Sequence, residues 1–578
     1  MEVKELVPNL KIDDWINQYL SAYGINDPEE YLYPTFKYVE SPNKYSNMEE
    51  GYQLLRETIN NNQTIGFIMD CDVDGILSTA ILYNYIINYI QLPFEKLEIK
   101  IYFHSDKKHG ITENAISWVM NNDISLLIVP DAGTNDYTAH MDLNFLNVNI
   151  LILDHHRIEP KPVFLQEYKS NYKTIIINNN QGLVKNKQLS GTGVVAKFIK
   201  YIDKKEKMSY SNKYTDLVAL SLVSDMCDMT SYENRDFFLH GTHKINNEFL
   251  QYMVNNFIWE KDENENSIIN QHTLGFDICP YLNAVCRGTN QELKKSIVEA
   301  FIGILDNTQY NALQESLKGE KAYQDKVVAQ TVKEGCIDLV LSCTGIPVLA
   351  IMYLKTPESF PYTGLIANMI RKEYKCTAFV IHETNEIYSG SCRSEINILK
   401  KCQQSKLFEI ASGHDKAYGI VFKKENLDNI KDFFKTIKQE IYKIPVVKTY
   451  NMSIDNIPKS LFGFADEWDF LWNNTFLKPV FNIENICINS KNIQVLGKGN
   501  TIKFKKDNIE FIKFRITEDE KEKLCLEESK DLCINTICNL TINEFRGRII
   551  LQAQIEIIEI NYETKENKKI TWEDVFGL

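Results

Sequence analysis

Three apolar runs, each five or six residues long and each running into acidic or imidazole side chains, constrain this chain more than any other feature. Thr64 to Met69 leads into Asp70-Cys71-Asp72-Val73-Asp74-Gly75. Ser125 to Pro130 leads into Asp131-Ala132-Gly133, and Asn149 to Leu153 into Asp154-His155-His156-Arg157. Such runs read as buried strands. Helix-like segments, Leu77 to Ile90 and Glu113 to Met120, separate them, which is the alternation of a parallel, doubly wound sheet. Ligands bind such sheets at the carboxyl edge of the strands. Oxygen-rich sets with one or two imidazoles suit divalent ions such as Mn²⁺ or Mg²⁺.

The chain has 578 residues, too many for one core. Residues 1–60 carry no readable motif, and an α/β catalytic domain is expected over 61–245. Within it Ser190-Gly191-Thr192-Gly193 opens a helix-like run, and a second run from Tyr214 ends at Ser224-Asp225. A helical connector is expected over 246–334 and a second α/β domain over 335–445. From 446 to 578 the texture changes to apolar/polar alternation, which predicts a small antiparallel β-barrel. The fold class is thus multidomain α/β with a C-terminal barrel.

Thirteen scattered cysteines form no Cys-x-x-Cys pair, which points to a reducing, cytoplasmic setting. The first residues are not those of a signal peptide, and no apolar run reaches the roughly 18 residues of a membrane span. A net charge of -14 argues against general coating of nucleic acid. Locally this reverses: Lys491 to Arg515 carries seven basic and two acidic residues in a hairpin-like pattern.

A single Asp after a strand ordinarily caps a turn, and adjacent histidines are ordinarily incidental. The joint pattern is different. Asp72 and Asp74 sit two apart at a turn and can reach one point. Asp131 is placed to bridge two ions, His155 and His156 add nitrogens, and Asp225 adds a carboxylate. A two-metal phosphoryl-transfer centre needs this supply of ligands, with ions roughly 3.5–4 Å apart.

Asp-x-Asp-x-Asp-Gly, then Asp-x-Gly, then Asp-His-His, then a late Asp, in this order, resembles the DHH phosphoesterases. That superfamily includes family II pyrophosphatases, small-RNA nucleases, cyclic-dinucleotide phosphodiesterases and the RecJ exonucleases. The resemblance implies Asp72, Asp74, Asp131, His155 and Asp225 as metal ligands, with Asp70 as an extra one. It implies His156 for ligation or phosphate contact, and Asp154 for orienting an imidazole.

Further stretches resemble RecJ in particular. Ser224-Asp225-Met226 precedes Glu233-Asn234-Arg235. Phe276 to Arg287 looks like the Ala-Pro-x-Leu-Asn-Ala-x-Gly-Arg connector motif. Gly390-Ser391-Cys392-Arg393-Ser394 matches Gly-Ser-x-Arg-Ser of the DHH-associated domain, and Ser412-Gly413-His414 its Gly-Gly-His. Thr541 to Arg548 resembles the end of the RecJ oligonucleotide-binding (OB) barrel. There are departures. Lys108-His109-Gly110-Ile111-Thr112 stands where RecJ has Glu-Gly-Tyr-Gly. Phe360-Pro361-Tyr362-Thr363-Gly364 stands for Trp-His-Pro-Gly, and Asp131-Ala132-Gly133 for Asp-Asn-Gly or Asp-Cys-Gly.

The resemblance implies a two-metal exonuclease, using Mn²⁺ or Mg²⁺, that degrades single-stranded DNA from the 5′ end to mononucleotides in repair or recombination. It implies phosphate binding by Asn283, Arg287, Ser391, Arg393, Ser394, Gly413 and His414. Lys503, Lys505 and Lys506 would track the strand on the barrel. A cytoplasmic monomer is expected, free of membrane and recruited by a single-strand-binding protein or helicase. Two rivals stand beside this reading: a phosphodiesterase for oligoribonucleotides or cyclic dinucleotides, and a non-catalytic replication or recombination scaffold.

Overall fold

The computed structural model describes residues 3–5, 15–90, 97–104, 109–162, 171–262, 264–343, 345–437, 447–457, 459–463, 479–497, 499–526, 528–545 and 548–562. They group into two units, 30–443, and 1–29 with 444–578. The strand β1 (Val3–Glu5) belongs to the latter.

In the unit 30–443, β2 (Ile65–Met69), β3 (Ile99–Phe103), β4 (Leu126–Pro130), β5 (Asn149–Asp154) and β6 (Thr174–Asn178) form a sheet of order β3-β2-β4-β5-β6. All its pairings are parallel. Every residue of β2 and β4 is buried, because helices cover both faces. One face packs on a large core running from Tyr45 to Leu317, so the expected connector helices share the hydrophobic interior of the sheet. The other face packs on the helices Glu113–Asn121 and Tyr137–Phe145. The chain leaves β2 to pair on one side with β3 and on the other with β4. The topological switch point therefore lies between the carboxyl ends of β2 and β4, where a crevice opens in sheets of this order. Asp70 to Asp74 and Asp131 follow those two ends.

A second sheet in the same unit contains β7 (Ile337–Leu341), β8 (Pro347–Leu354), β9 (Thr377–Thr384), β10 (Ile387–Arg393), β11 (Ile410–His414) and β12 (Ala417–Lys423), in the order β11-β12-β10-β9-β8-β7. Only β8 and β9 run parallel among its described pairs.

The other unit departs from expectation. Its strands are β1, β13 (Val447–Ser453), β14 (Val480–Asn489), β15 (Gln494–Leu496), β16 (Thr501–Lys506), β17 (Ile509–Phe514), β18 (Asp531–Phe545) and β19 (Arg548–Tyr562). They pair in the open order β1-β13-β14-β18-β19-β17-β16-β15. The expected all-antiparallel pairing is thus corrected, since β1/β13, β13/β14 and β17/β19 are parallel, and OB-type closure is not shown, because among the described residues no pair closes a ring. Alternation along a strand reports which face is buried, not which neighbour it pairs with. Among the described residues no helix is long and apolar enough to cross a membrane.

The helix Gly191–Glu206 ties the N-terminal part of 30–443 to the parallel sheet. Its Lys197 is buried, pairs with buried Glu233 and donates to the Glu40 carbonyl at 2.7 Å. Glu233 also accepts from the Glu40 amide at 2.8 Å. Lys197→Met would leave Glu233 charged and buried without its cation, and breaking such a pair costs about 3–5 kcal/mol. A lowered urea midpoint for the transition of 30–443 is the expected result; an unchanged midpoint would contradict it.

Candidate metal centre

Each edge ligand owes its place to local backbone chemistry. Asp70 directly follows β2 and is buried. Asp72 is the N-cap of the helix Val73–Tyr85, accepting from the Gly75 amide at 2.9 Å. Asp74 lies in the first turn of that helix. Asp131 donates its amide to the Leu153 carbonyl at 2.8 Å, extending the β4/β5 ladder by one step. It then turns with φ +65. A non-glycine residue in that region costs about 1–3 kcal/mol and persists where the surroundings fix it, commonly at functional sites. Asp154 ends β5, with His155 and His156 beyond it. Asp225 follows the C-terminus of the helix Thr215–Ser224.

These side chains converge. His155 Nε2 lies 3.2 Å from Asp131 Oδ1, 3.8 Å from Asp225 Oδ2 and 3.9 Å from Asp74 Oδ2. Three sets of ligand atoms each fall within 4.8 Å of one another: Asp131, His155 and His156; Asp74, His155 and Asp225; Asp70, Asp72 and Asp131. Asp131 and His155 each join two sets, and a shared carboxylate is what a pair of ions requires.

Asp74 is already held by three donors: Gly191 N at 2.7 Å, Thr192 N at 2.8 Å and Ser221 Oγ at 2.7 Å. Asp70 Oδ1 and Asp131 Oδ1, by contrast, are buried and accept no hydrogen bond. Burial, then the carboxylates of Asp74, Asp72, Asp70 and Asp225, push the Asp131 carboxyl well above its ordinary value. Burial, Asp70 and Asp74 also raise Asp72. Unsatisfied buried oxygens under mutual repulsion are stable when a cation sits among them. The donor set therefore fits divalent ions.

Asp154 works differently. Its Oδ1 accepts from the His155 amide at 2.7 Å, the His156 amide at 3.1 Å and His156 Nδ1 at 2.8 Å. It orients His156, not His155. Burial opposes both charges of this pair, but their attraction prevails. It lowers Asp154 and raises His156 to about 10.

The other expected residues sit in three places. Asn283 and Arg287 lie on the helix Cys279–Arg287, four apart and so on one face. Ser391 and Arg393 lie on β10, and Gly413 and His414 on β11. Arg393 and His414 both register with Ala417 of β12, one on each side of it. The side chain of His414 lies outside the described residues. Ser391 Oγ is 2.8 Å from Thr363 Oγ1, and Ser394 Oγ is 3.0 Å from Thr377 Oγ1. Burial and the neighbouring Arg287 cation lower Arg393, while Arg287 itself is lowered by burial and feels the Asp72 carboxylate. Arg287 and Arg393 are thus near enough for their charges to act on each other. Lys503, Lys505 and Lys506 belong to the other unit. Lys503 pairs with Glu510 at 2.7 Å, Lys505 is exposed and Lys506 half-buried. Phe504 and Phe511 stack in the interior, while Phe514 is exposed.

Sequence reasoning missed several groups. Asn178, paired across from Asp154, donates to the His156 carbonyl at 3.0 Å, and Asn180 to the His155 carbonyl at 2.8 Å. They fix the turn that carries both histidines. Their signal was a further apolar run, Ile175 to Ile177, ending in three asparagines. Gly191, Thr192 and Ser221 grip Asp74. His109 Nδ1 lies 2.7 Å from Asp70 Oδ2.

Gly191 is sterically required, since a Cβ there would lie 2.2 Å from Asp131 Oδ1. Gly191→Ala should displace Asp131 and reduce the rise in melting temperature that Mn²⁺ produces. At ~100 Kd a bound ion adds about 2.7 kcal/mol, so the loss is readable by calorimetry. An undiminished Mn²⁺ shift would refute this.

Residues 64–222 match the DHH family, N-terminal domain. The chain is 27% identical over 599 residues to the putative SPbeta prophage-derived single-strand DNA-specific exonuclease YorK of Bacillus subtilis, covering 96% of this chain and 97% of that one. It is 22% identical over 446 residues to the single-stranded-DNA-specific exonuclease RecJ of the same organism, covering 74% of this chain and 53% of that protein. Its fold is similar to RecJ from Thermus thermophilus solved with Mn²⁺, with a TM-score of 0.72, 15% identity, and coverage of 97% of this chain and 80% of that one.

Proposed function

From the premise that residues 64–222 form a DHH-family domain, we propose that this protein is a metal-dependent exonuclease that degrades single-stranded DNA 5′ to 3′ to mononucleotides in repair or recombination. The observation that carries the reading is the carboxylate cage around His155 Nε2, with Arg287 near enough to feel the Asp72 carboxylate. The near full-length similarity to a protein named as a single-strand DNA exonuclease supports the substrate.

Divalent ions held by Asp70, Asp72, Asp74, Asp131, His155 and Asp225 would activate water and stabilise charge developing at phosphorus. The chain's own groups do the rest. Arg287 and Arg393 hold a substrate phosphate in fixed geometry, because a guanidinium presents a rigid fork of donors. Asn283, Ser391, Ser394, Gly413 and His414 complete that cradle. His156, its Nδ1 bound to Asp154, keeps Nε2 for the scissile phosphate. Lys503, Lys505 and Lys506 hold the strand on the C-terminal unit, in the manner of an OB fold. The domains are taken as a catalytic domain 61–245, a connector 246–334, a phosphate-binding domain 335–445 and a strand-holding domain 446–578. The protein acts as a cytoplasmic monomer, recruited by a single-strand-binding protein or helicase.

Mn²⁺-supported digestion of strands labelled at opposite ends tests activity, polarity and strandedness together. The 5′ label should appear first as a mononucleotide, duplex should resist, and chelation or Asp131→Ala should abolish release. Arg393→Ala should cost about 10²-fold, the scale of one lost transition-state donor. Preference for a dinucleotide over a long strand, or inertness under Mn²⁺, would sink the reading. Lys505→Ala should flatten the log–log salt dependence of strand binding by about 0.7, one single-strand phosphate contact; an unchanged slope removes Lys505 from the interface.

A further inference from the structure

The segment that departs from the RecJ pattern places a histidine against the metal cluster. His109 Nδ1 is 2.7 Å from Asp70 Oδ2, while Asp70 Oδ1 is buried and accepts no hydrogen bond. Asp70 thus has one oxygen bound by an imidazole and the other free of hydrogen bonds, and a carboxylate oxygen of Asp70 lies within 4.8 Å of ligand atoms from Asp72 and Asp131. His109 itself joins none of the three ligand sets.

The backbone is built to hold it there. Gly110 has φ +67, and a Cβ at this position would lie 2.3 Å from Asp136 Oδ2. That same oxygen accepts from the Ile111 amide at 2.7 Å. Ile111 is buried in the core on that face of the sheet. Thr112 then caps the helix Glu113–Asn121, accepting from the Ala115 amide at 3.3 Å. Three consecutive residues, Gly110, Ile111 and Thr112, are therefore fixed by a left-handed turn, a carboxylate clamp, an apolar contact and a helix cap. The outcome is an imidazole N–H aimed at one carboxylate oxygen.

We propose that His109 is a positioning residue that holds Asp70 in the rotamer that offers Oδ1 to a metal ion, and so sets the affinity of that ion. The proposal rests on the metal-centre reading above. Partners that hydrogen-bond ligating carboxylates typically contribute 10–100-fold in metal affinity.

The test is Mn²⁺ binding to the full chain, measured by titration calorimetry and by loss of the free Mn²⁺ resonance signal, with no DNA present. His109→Ala should weaken binding about 10-fold. His109→Asn keeps a donor near the Nδ1 position and should recover most of that loss. Gly110→Ala leaves His109 in place chemically but displaces it, and should behave like His109→Ala. His109 is about half exposed (side chain 53%), so His109→Ala should fold with an unchanged circular dichroism spectrum without Mn²⁺. Unaltered Mn²⁺ affinity in His109→Ala would overturn the proposal. Equal losses in His109→Ala and His109→Asn would overturn it in favour of direct ligation by the imidazole. If the unmodified chain bound no Mn²⁺, the metal-centre reading itself would fail, an outcome distinct from either.

Discussion

Like charges forced together out of water are the constraint on which the 30–443 unit turns. Asp70, Asp74 and Asp131 are all buried, and Asp72 stands beside them. No arrangement of neutral neighbours satisfies that many carboxylates, and a dry interior makes their repulsion stronger than in water. Two responses are visible. Where hydrogen-bond donors could be supplied, they were: Asp74 is gripped by a helix N-terminus and a serine, and Asp154 by three amides and an imidazole. Where they were not, at Asp70 Oδ1 and Asp131 Oδ1, lone pairs remain for a cation. The division between satisfied and unsatisfied oxygens distinguishes residues that shape the site from residues that offer it ligand atoms.

The architecture explains why the cluster forms where it does. A parallel sheet has all its strand ends on one edge, and reversal of strand order between β2 and β4 leaves a gap at that edge. Helices start on either side of the gap. Their free amides, at Gly75, Gly191 and Thr192, are spent on Asp72 and Asp74. Asp131 enters from β4 through a left-handed turn, and the contact with Gly191 leaves no room for a larger residue.

Much of this was readable from the residues. The strands β2, β4 and β5 are buried on both faces, so their apolar runs stand out, and the chemistry begins where the runs stop. Other features were beyond the reach of periodicity. The pairing of Val3 with Val447 joins segments more than four hundred residues apart, and no local pattern announces it. For the same reason an antiparallel barrel was expected where parallel pairs and an open order occur. Within the site, spacing nominated Asp74, and the family resemblance added Asp70 as a further ligand. Only their partners, a single imidazole against three donors, separate their roles. Asn178 and Asn180 act through carbonyls of residues over twenty positions away, so the apolar run Ile175 to Ile177 before them marked their place but not their partners.

The helix Gly191–Glu206 acts as a rigid strut. Its first turn grips Asp74, and Lys197, about 9 Å further along at ~1.5 Å per residue, is locked between Glu233 and the Glu40 carbonyl. A helix is stiff over that length, so the two ends cannot shift independently. The ligand cage and the outer brace are one lever, and loosening the brace would slacken the hold on the ions without any ligand being altered.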